Sequence, residues 1–547
     1  MRILIFHGYL LGGTGSNVYN AGLAAALVQL GHEVHLMSQD RHPQEQPFVD
    51  AIGDWDRGSL RVRNLRPRVR CTVYRPDIGA LLPVYVADRY EGVEARTFAD
   101  CSDQEVAAYI DANVVAVREL RARVRPEIAL ANHLVMGPVI LARGLQGEVP
   151  YAVKVHGSAL EYTVKPSPGR FLGFAREGLA GASAVLVGSR HTATSLWQAL
   201  GDPELPERTR LGPPGVDVAR FAPREPRAAA AGVRDLAARL RSLQPTAESP
   251  AGDPGEDLPS RPVGGQLPGG GAGGDLPASA FARDPFSAAE ALERLHPPGD
   301  RLVAFVGKLI VSKGADLLLA AWPLVLERVP RARLVIVGFG AYRAALESLH
   351  AALLAGDLER ARAIATAGRA LEDAGAEPRP LAHLLAFLHA LGGEERARYE
   401  SAARTLGEGV VFTGRLEHHE LAELLPACEA LVTPSTFPEA FGMVAVEAAA
   451  CGALPISAAH SGLAEVSEAL AEALPDGAAR LLSFPVDDQS VPALASLVSS
   501  WLQAPPELRL ATRASLVAAV RERWSWEGVA RGVIAAALGQ LKRLQRP

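Results

Sequence analysis

Cysteine is scarce in this chain, and neither sign of charge dominates. The four cysteines among 547 residues are widely separated and form no Cys-x-x-Cys pair, so the sequence predicts neither a zinc site nor a disulfide framework. Reduced thiols in the cytoplasm are the expectation for such a chain. A formal net charge of −5 and a sequence pI near 6.3 argue against a general nucleic-acid binder, and we expect no nucleic-acid partner.

Long apolar runs are also missing. No uninterrupted apolar stretch reaches the roughly 18 residues that a membrane-spanning helix needs. The amino terminus begins with a short apolar strand, without a long hydrophobic region and cleavage site, so the sequence predicts no signal peptide. We therefore expect a cytoplasmic protein. Because 547 residues exceed what one hydrophobic core supports, we also expect two large domains.

One stretch, residues 433–452 (TPSTFPEAFGMVAVEAAACG), organises the chain. Turn residues lead to Glu439, and an alanine-rich segment of good helix propensity then carries Glu447 and ends at Gly452. An apolar run precedes the stretch, so the pattern predicts a strand, a loop and a helix. The exposed backbone N–H groups at the start of a helix suit an anion, above all a phosphate. Both carboxylates can face one ligand that spans the helix start.

The first 40 residues predict a βαβ unit with a glycine-rich first turn. A strand at residues 2–6, a helix at 18–30 and a strand at 33–37 indicate a parallel sheet of the nucleotide-binding type. The turn lacks the third small residue of the dinucleotide fingerprint, because Val18 stands there, whereas Asp40 occupies the place of an NAD-binding acid. An NAD-dependent oxidoreductase is therefore kept as an alternative.

His156 directly follows an apolar strand at residues 151–155. Ligands of open α/β sheets bind beyond the carboxyl ends of the strands, so His156 is a candidate site residue. A loop histidine that only caps the next element is an equally good interpretation. Turn residues at 212–217 then predict a domain boundary.

A second βαβ unit begins at residue 302, and two lysines flank its first loop. Lys308 and Lys313 lie five positions apart, which suits the two charges of a diphosphate. Two ordinary surface lysines are the alternative. Residues 242–276 are rich in proline and glycine and predict a disordered linker. Residues 341–405 show a helical pattern throughout and predict an inserted set of helices.

Two charged clusters receive no catalytic assignment. Seven arginines between residues 57 and 75 predict a solvated, loop-like surface; a patch for an anionic acceptor or a membrane surface is the alternative. His418 and His419 are adjacent, so on a helix they point apart, and we assign them no metal.

Taken in order, these motifs resemble a family-4 retaining glycosyltransferase of the GT-B fold, and the resemblance covers nearly the whole chain. Such a fold is α/β, with two Rossmann-like, doubly wound parallel-sheet domains facing across a cleft. The resemblance implies an acceptor domain at residues 1–210, completed by a carboxyl-terminal helix at about 524–547, and a nucleotide-sugar domain at 211–523. The linker and the helical insertion are longer than the family usually has. The supporting motifs are Glu439 with Glu447, Gly307-Lys308, Lys313-Gly314, the first glycine-rich turn, His156-Gly157, residues 215–217, 338–340 and 412–414, and the Trp526 helix.

The resemblance also implies roles for single residues. Glu439 would hold hydroxyls of the donor sugar, Glu447 the ribose, and Lys308 and Lys313 the departing diphosphate. The family usually has arginine where Lys308 stands, and a lysine lacks the bidentate fork. His156 would lie between donor and acceptor. Further donor contacts are implied for Gly13, Gly307, Gly442, Met443 and Val444, and a weaker sugar-side loop for Leu463 and Glu465.

The predicted function is transfer of a hexosyl group from a UDP- or GDP-sugar to an acceptor, with retention of anomeric configuration. The acceptor is a sugar, a sugar phosphate, a cyclitol, a glycan or a lipid-linked sugar, and peripheral contact with the inner membrane face is an additional prediction. Charge builds on the diphosphate as it leaves, and prepositioned cations stabilise that charge. We therefore expect no metal and no cofactor beyond the nucleotide sugar. A non-catalytic sugar-nucleotide-binding protein is the third hypothesis.

Overall fold

The computed structural model of the protein describes residues 1–56, 58–85, 94–243, 283–372 and 377–547. The predicted linker at 242–276 lies outside the described residues from residue 244 onward. Residue 242 is the last residue of a helix.

The first sheet contains nine strands within the described residues, in the order β11-β10-β9-β8-β1-β2-β5-β3-β4. All neighbours are parallel except β3 and β4, so only the edge strand β4 reverses direction. The strands of the first half are β1 Arg2–Phe6, β2 Glu33–Met37, β3 Ala51–Asp56, β4 Ser59–Asn64, β5 Cys71–Arg75, β6 Leu81–Val84, β7 Glu94–Thr97, β8 Ile128–Asn132, β9 Tyr151–Val155, β10 Ala184–Val187 and β11 Thr209–Leu211; β6 and β7 pair with each other apart from the main sheet.

The second sheet is parallel, with six strands among the described residues in the order β14-β13-β12-β15-β16-β17. Nearly continuous burial of these strands, as in the central strands of the first sheet, reflects helices packed on both faces. Its strands are β12 Arg301–Val306, β13 Ala332–Val337, β14 Val410–Gly414, β15 Cys428–Thr433, β16 Leu454–Ala458 and β17 Ser483–Phe484.

Helices connect the strands in both halves, as the two predicted βαβ units require. The helices of the first half are α1 Gly15–Gln29, α2 Asp103–Val124, α3 Gly137–Leu145, α4 Pro168–Ala180, α5 Arg190–Leu200 and α6 Leu205–Arg208. Those that follow are α7 Pro226–Ser242, α8 Pro285–Glu293, α9 Ala315–Arg328, α10 Arg343–Ala355, α11 Leu358–Ala367, α12 Ala382–Ala390, α13 Gly393–Ala403, α14 Leu406–Gly409, α15 His418–Leu424, α16 Met443–Ala450, α17 Ser461–Ala471, α18 Asp476–Ala479, α19 Ser490–Leu502, α20 Pro506–Arg523 and α21 Trp526–Ala537. Short 3₁₀ turns lie at Pro43–Glu45, Val311–Lys313, Arg369–Leu371, Leu425–Ala427 and Leu541–Arg543, and a π-helical turn at Leu160–Val164.

The last helix returns to the first sheet. Val533 of α21 is buried in the same apolar cluster as Leu23 of α1, and a β-bridge joins Val216 to Ser525 where the chain crosses between the halves. The Trp526 ring fills the space where a side chain at Gly22 would project, which explains a glycine inside α1. The domain limits at residues 210 and 523 stay predictions.

Two sequence-based interpretations need correction. The arginine-rich surface is not a loop throughout, because residues 59–64 form the edge strand β4, whose Leu60 is buried against the sheet. The helical pattern of residues 341–405 is not continuous either. It is interrupted after α11, where Gly368 has φ of +51° and pairs in a β-bridge with Arg379. A φ of that sign favours glycine, which ends the helix.

Candidate active site

A cavity of about 1240 Å³ opens between the two halves, at the carboxyl ends of both sheets. This location is where open α/β sheets bind their ligands. Both halves contribute to its wall, as the sequence-based hypothesis required. The predicted site residues that line it are Gly13, His156, Gly307, Lys308, Lys313, Glu439, Gly442, Met443, Val444 and Glu447.

The start of helix α16 faces this cavity. Gly442, the residue before the helix, has φ of +114°, and a Cβ there would lie 2.6 Å from Leu463 Cδ2. Only glycine satisfies both constraints. The first backbone N–H groups of a helix have no carbonyl partner within it, and the helix dipole gives that end a partial positive charge. The N–H groups of Met443 and Val444 are therefore placed to bind an anion.

Lys313 and Glu439 meet beside this helix start. The Lys313 Nζ donates a hydrogen bond to Glu439 Oε1, and Ser435 Oγ donates to the same oxygen at 2.6 Å. Burial raises the pKa of the Glu439 carboxyl, but the Lys313 ammonium and the two hydrogen bonds outweigh it and hold that pKa below its usual value. Glu439 is therefore ionised and acts only as an acceptor. A cation beside a carboxylate matches a ligand in which a phosphate is joined to a sugar, because the cation can bind the phosphate and the carboxylate can accept hydrogen bonds from the sugar hydroxyls.

Backbone packing fixes the loop that carries Lys308. A Cβ at Gly338 would collide with the carbonyl oxygen of Gly307, and one at Gly340 would collide with that of Leu309. The Leu309 N–H also donates to the Phe339 carbonyl at 2.7 Å. Two loops that follow neighbouring strands therefore lie backbone against backbone, which holds the Lys308 loop at the cavity wall.

Glu447 lies deeper and has a partner that the sequence did not reveal. Its side chain is buried, and its Oε1 lies 2.7 Å from His418 Nε2, the first residue of α15. Burial lowers the pKa of His418, but the Glu447 carboxylate outweighs this effect and raises it above its usual value. Only the fold brings these residues together, so no local pattern around His418 indicated the contact.

His156 forms part of the wall on the side of the first half. Its Nε2 lies 2.8 Å from Asn132 Oδ1, and the ring of Tyr19 packs edge-on against it at 5.0 Å. Burial, followed by neighbouring His133 and Lys154, holds the pKa of His156 well below its usual value. The imidazole is therefore neutral. Lys154 itself donates to the Gly212 carbonyl at 2.6 Å, and burial lowers the pKa of its ammonium to about 7.

Glu465 does not lie where the resemblance implied. Its carboxylate accepts hydrogen bonds from the backbone N–H groups of Arg190 at 2.7 Å and His191 at 2.8 Å, at the start of α5 across the cleft. It therefore joins the halves instead of facing a sugar. Leu463 does line the cavity; both residues belong to helix α17 and not to the predicted loop.

Other contacts also cross the cleft beside the cavity. The ring of Tyr162 stacks on that of Phe437 at 5.9 Å and 23°. A Cβ at Gly188 would lie 2.9 Å from the carbonyl oxygen of Ala440, and one at Gly157 would lie 3.1 Å from its Cβ. Small residues on one side therefore admit the Glu439 loop from the other, and the halves are in contact in this structure.

Asp40 is committed to the first glycine-rich turn. Its Oδ2 accepts from the Leu11 N–H at 2.8 Å, and its Oδ1 from the His42 N–H at 2.9 Å. Both oxygens of the carboxylate that would bind the ribose of NAD therefore already accept hydrogen bonds from backbone N–H groups, which disfavours the oxidoreductase alternative. Gly13 in this turn has φ of +88°.

Within the part of the chain that the structure describes, no three His, Cys, Asp or Glu side chains come together as metal ligands would. The expectation of a metal-independent reaction stays a prediction. None of the described helices combines the length and the apolar character needed to span a bilayer.

Three family models match this sequence. The model described as Glycosyltransferase Family 4 matches residues 13–220, and two models described as Glycosyl transferases group 1 match residues 300–374 and 383–514. Together they span most of both halves. The chain belongs to the family-4, group 1 glycosyltransferases, as its motifs predicted.

Two curated proteins are similar to part of the chain. One is a D-inositol 3-phosphate glycosyltransferase of Segniliparus rotundus, 28% identical over 239 residues, which are 44% of this chain and 40% of that protein. The other, a protein of the same name from Stackebrandtia nassauensis, is 38% identical over 121 residues, 22% of this chain and 25% of that protein. The chain thus matches less than half the length of either relative.

Solved structures resemble the whole chain. A sucrose-phosphate synthase from Thermosynechococcus elongatus has a TM-score of 0.52 and 19% identity, with 99% of this chain and 98% of that chain covered. Anabaena HepE in complex with UDP and glucose has a TM-score of 0.53 and 14% identity, with 99% and 100% covered. At these identities the likeness establishes the fold alone. It confirms the predicted GT-B fold.

Proposed function

We propose that the protein transfers a hexosyl group from a nucleoside-diphosphate sugar to an acceptor hydroxyl. The observation that carries this proposal is the convergence of Lys313, Glu439 and the start of α16 on one cavity between two nucleotide-type sheets. The helix start and the lysines Lys308 and Lys313 bind the diphosphate, Glu439 binds hydroxyls of the sugar, and Glu447 binds the ribose.

The reaction breaks the bond between the anomeric carbon and the diphosphate oxygen. The acceptor oxygen forms the new bond, and its proton passes to the departing diphosphate. Negative charge grows on that leaving group, so Lys308, Lys313 and the helix start stabilise the transition state more than the bound substrate. Contact between the halves excludes water that would hydrolyse the donor. We propose retention of configuration because the motifs resemble those of retaining enzymes.

The substrates are proposed from the chemistry and from the named relatives. UDP is a candidate nucleotide because the HepE complex contains it, and GDP is kept as the second. D-inositol 3-phosphate is a candidate acceptor because both curated relatives are named for it. Sugars, other cyclitols, glycans and lipid-linked sugars remain in the proposal. The lysines and the helix take the place of a metal, so chelation should not affect turnover.

The test is release of nucleotide from UDP- and GDP-sugars, with and without acceptors, followed by NMR of the product's anomeric configuration. We expect acceptor-dependent release that disappears in Glu439→Gln and Lys313→Ala. Lys165→Ala is the matched control, because Lys165 also pairs with a glutamate, Glu161, but does not line the cavity. Tight nucleotide binding without turnover would support a non-catalytic binder instead, and NADH binding would support an oxidoreductase.

Location in the cytoplasm and peripheral contact with a membrane stay proposals. Arg61 and Arg63 are exposed on the edge strand β4, although Arg61 also pairs with Asp56, and Arg75 is paired with Asp54. Exposed arginines near an anionic bilayer are attracted to it. Co-sedimentation with anionic vesicles at low salt tests this contact, and absence of binding there ends the proposal.

A further inference from the structure

His133 is a buried histidine in the cavity wall whose ring has no hydrogen-bond partner. It follows β8 directly, has φ of +66°, and is 2% exposed. Neither Nδ1 nor Nε2 has a partner anywhere in the described part of the protein, although the residue lines the cavity. A buried polar group without a partner is costly, so its retention calls for an explanation.

Aromatic rings surround this imidazole. The distance from the centroid of the His133 ring to the ring centroid is 4.5 Å for Tyr85, 4.9 Å for His156 and 5.4 Å for Tyr9. The hydroxyls of Tyr9 and Tyr85 donate to the backbone carbonyls of Pro83 and Val135. These two hydroxyls therefore already have acceptors, whereas the His133 nitrogens have no partner among the described residues.

The imidazole of His133 is uncharged. Burial, and then the neighbouring His7, hold its pKa well below the usual value. A neutral imidazole offers one donor and one acceptor. A hydroxyl group can donate to the bare nitrogen or accept from the N–H, whereas an ionised phosphate oxygen can only accept.

We propose that His133, framed by Tyr9 and Tyr85, forms the acceptor subsite and binds a ring hydroxyl of an uncharged polyol or sugar ring. The inference rests on the proposed transfer reaction and specifies which part of the acceptor binds beside His133, Tyr9 and Tyr85. The ring of His156, which was predicted to lie between donor and acceptor, is adjacent to His133, so this subsite lies next to the proposed donor site.

The experiment compares His133→Phe with His133→Asn in the full chain. Phenylalanine keeps a ring against Tyr85 but removes both nitrogens, whereas asparagine keeps a donor and an acceptor and tolerates positive φ. His35→Phe is the matched control, because His35 is also a buried histidine of the first sheet but does not line the cavity. The measured quantities are the Kd for UDP by calorimetry, the KM for myo-inositol and for D-inositol 3-phosphate, and the melting temperature.

We expect His133→Phe to raise both acceptor KM values about tenfold, as loss of a hydrogen bond to a buried polar group predicts, and His133→Asn to raise them less. The UDP Kd should stay within twofold of wild type in both. If His133→Phe does not fold, an increase of acceptor KM in His133→Asn with unchanged UDP affinity supports the proposal. Unchanged acceptor KM in a folded variant overturns the subsite alone. A wild type that transfers to no acceptor overturns the proposed function and the subsite with it.

Discussion

Replacing Lys313 by alanine perturbs the proposed diphosphate site most directly. The side chain leaves a short turn that backbone contacts hold in place. Gly314, with φ of +65°, lies so close to the Pro434 carbonyl that a Cβ would collide with it, and the Thr436 N–H donates to Ser312 O at 2.9 Å. The substitution should therefore remove the ammonium without displacing the turn.

The expected loss follows from one charge-assisted hydrogen bond to the departing phosphate, which contributes about 1.5–3 kcal/mol. Since each 1.4 kcal/mol is a factor of ten, kcat/KM should fall about 10- to 150-fold. Most of the loss should lie in kcat, because the leaving group gains its charge in the transition state. Glu439 also loses its cation, so its pKa should rise and the acid limb of the pH profile should move to higher pH.

The assay is steady-state release of nucleotide from the best donor, with Lys313→Arg and Lys165→Ala measured in parallel. Lys313→Arg keeps the charge and should retain more activity than the alanine variant. Lys165→Ala should match wild type. A kcat/KM for Lys313→Ala within twofold of wild type, in a protein with an unchanged melting temperature, would refute the assignment of Lys313.

Three further predictions concern neighbouring contacts. The pKa of His418 is raised in the folded state, so its pairing with Glu447 stabilises the protein below the unfolded-state pKa, and this stabilisation is lost as the pH rises through the folded-state pKa. In urea titrations, the difference in unfolding free energy between wild type and His418→Gln should therefore be larger at pH 6 than at pH 9. Gly462→Ala would place a Cβ 2.6 Å from the carbonyl of Ala440, so thermal unfolding should show a loss of about 1–3 kcal/mol. Glu465→Gln removes a carboxylate from a helix start across the cleft, and small-angle scattering of the ligand-free protein should show a larger radius of gyration, whereas an unchanged radius would contradict a role in closure.

Local pattern was enough to predict the elements that carry the site. The turn residues before Glu439 and the alanine run through Glu447 predicted a loop and a helix, and α16 occupies residues 443–450. The first strand and the helix after the glycine-rich turn were predicted at residues 2–6 and 18–30, and β1 and α1 occupy residues 2–6 and 15–29. These features depend on neighbours in sequence, so periodicity and turn chemistry reveal them.

Partners that meet only through the fold could not be predicted. Lys313 and Glu439 are separated by 126 positions, and the sequence indicated a shared ligand for them, not a direct ion pair. Glu465 matched a sugar-side motif, but the position of α5 in the other half determines its partner. His133 gave no signal, because an unpartnered imidazole can be recognised only once its surroundings are known.

The most direct test of the account is a structure of the protein with a nucleoside diphosphate bound. The account predicts phosphate oxygens within hydrogen-bonding distance of the Lys308 and Lys313 ammonium groups and of the Met443 N–H, with the ribose beside Glu447. A nucleotide bound elsewhere, or phosphates that contact none of these groups, would contradict it.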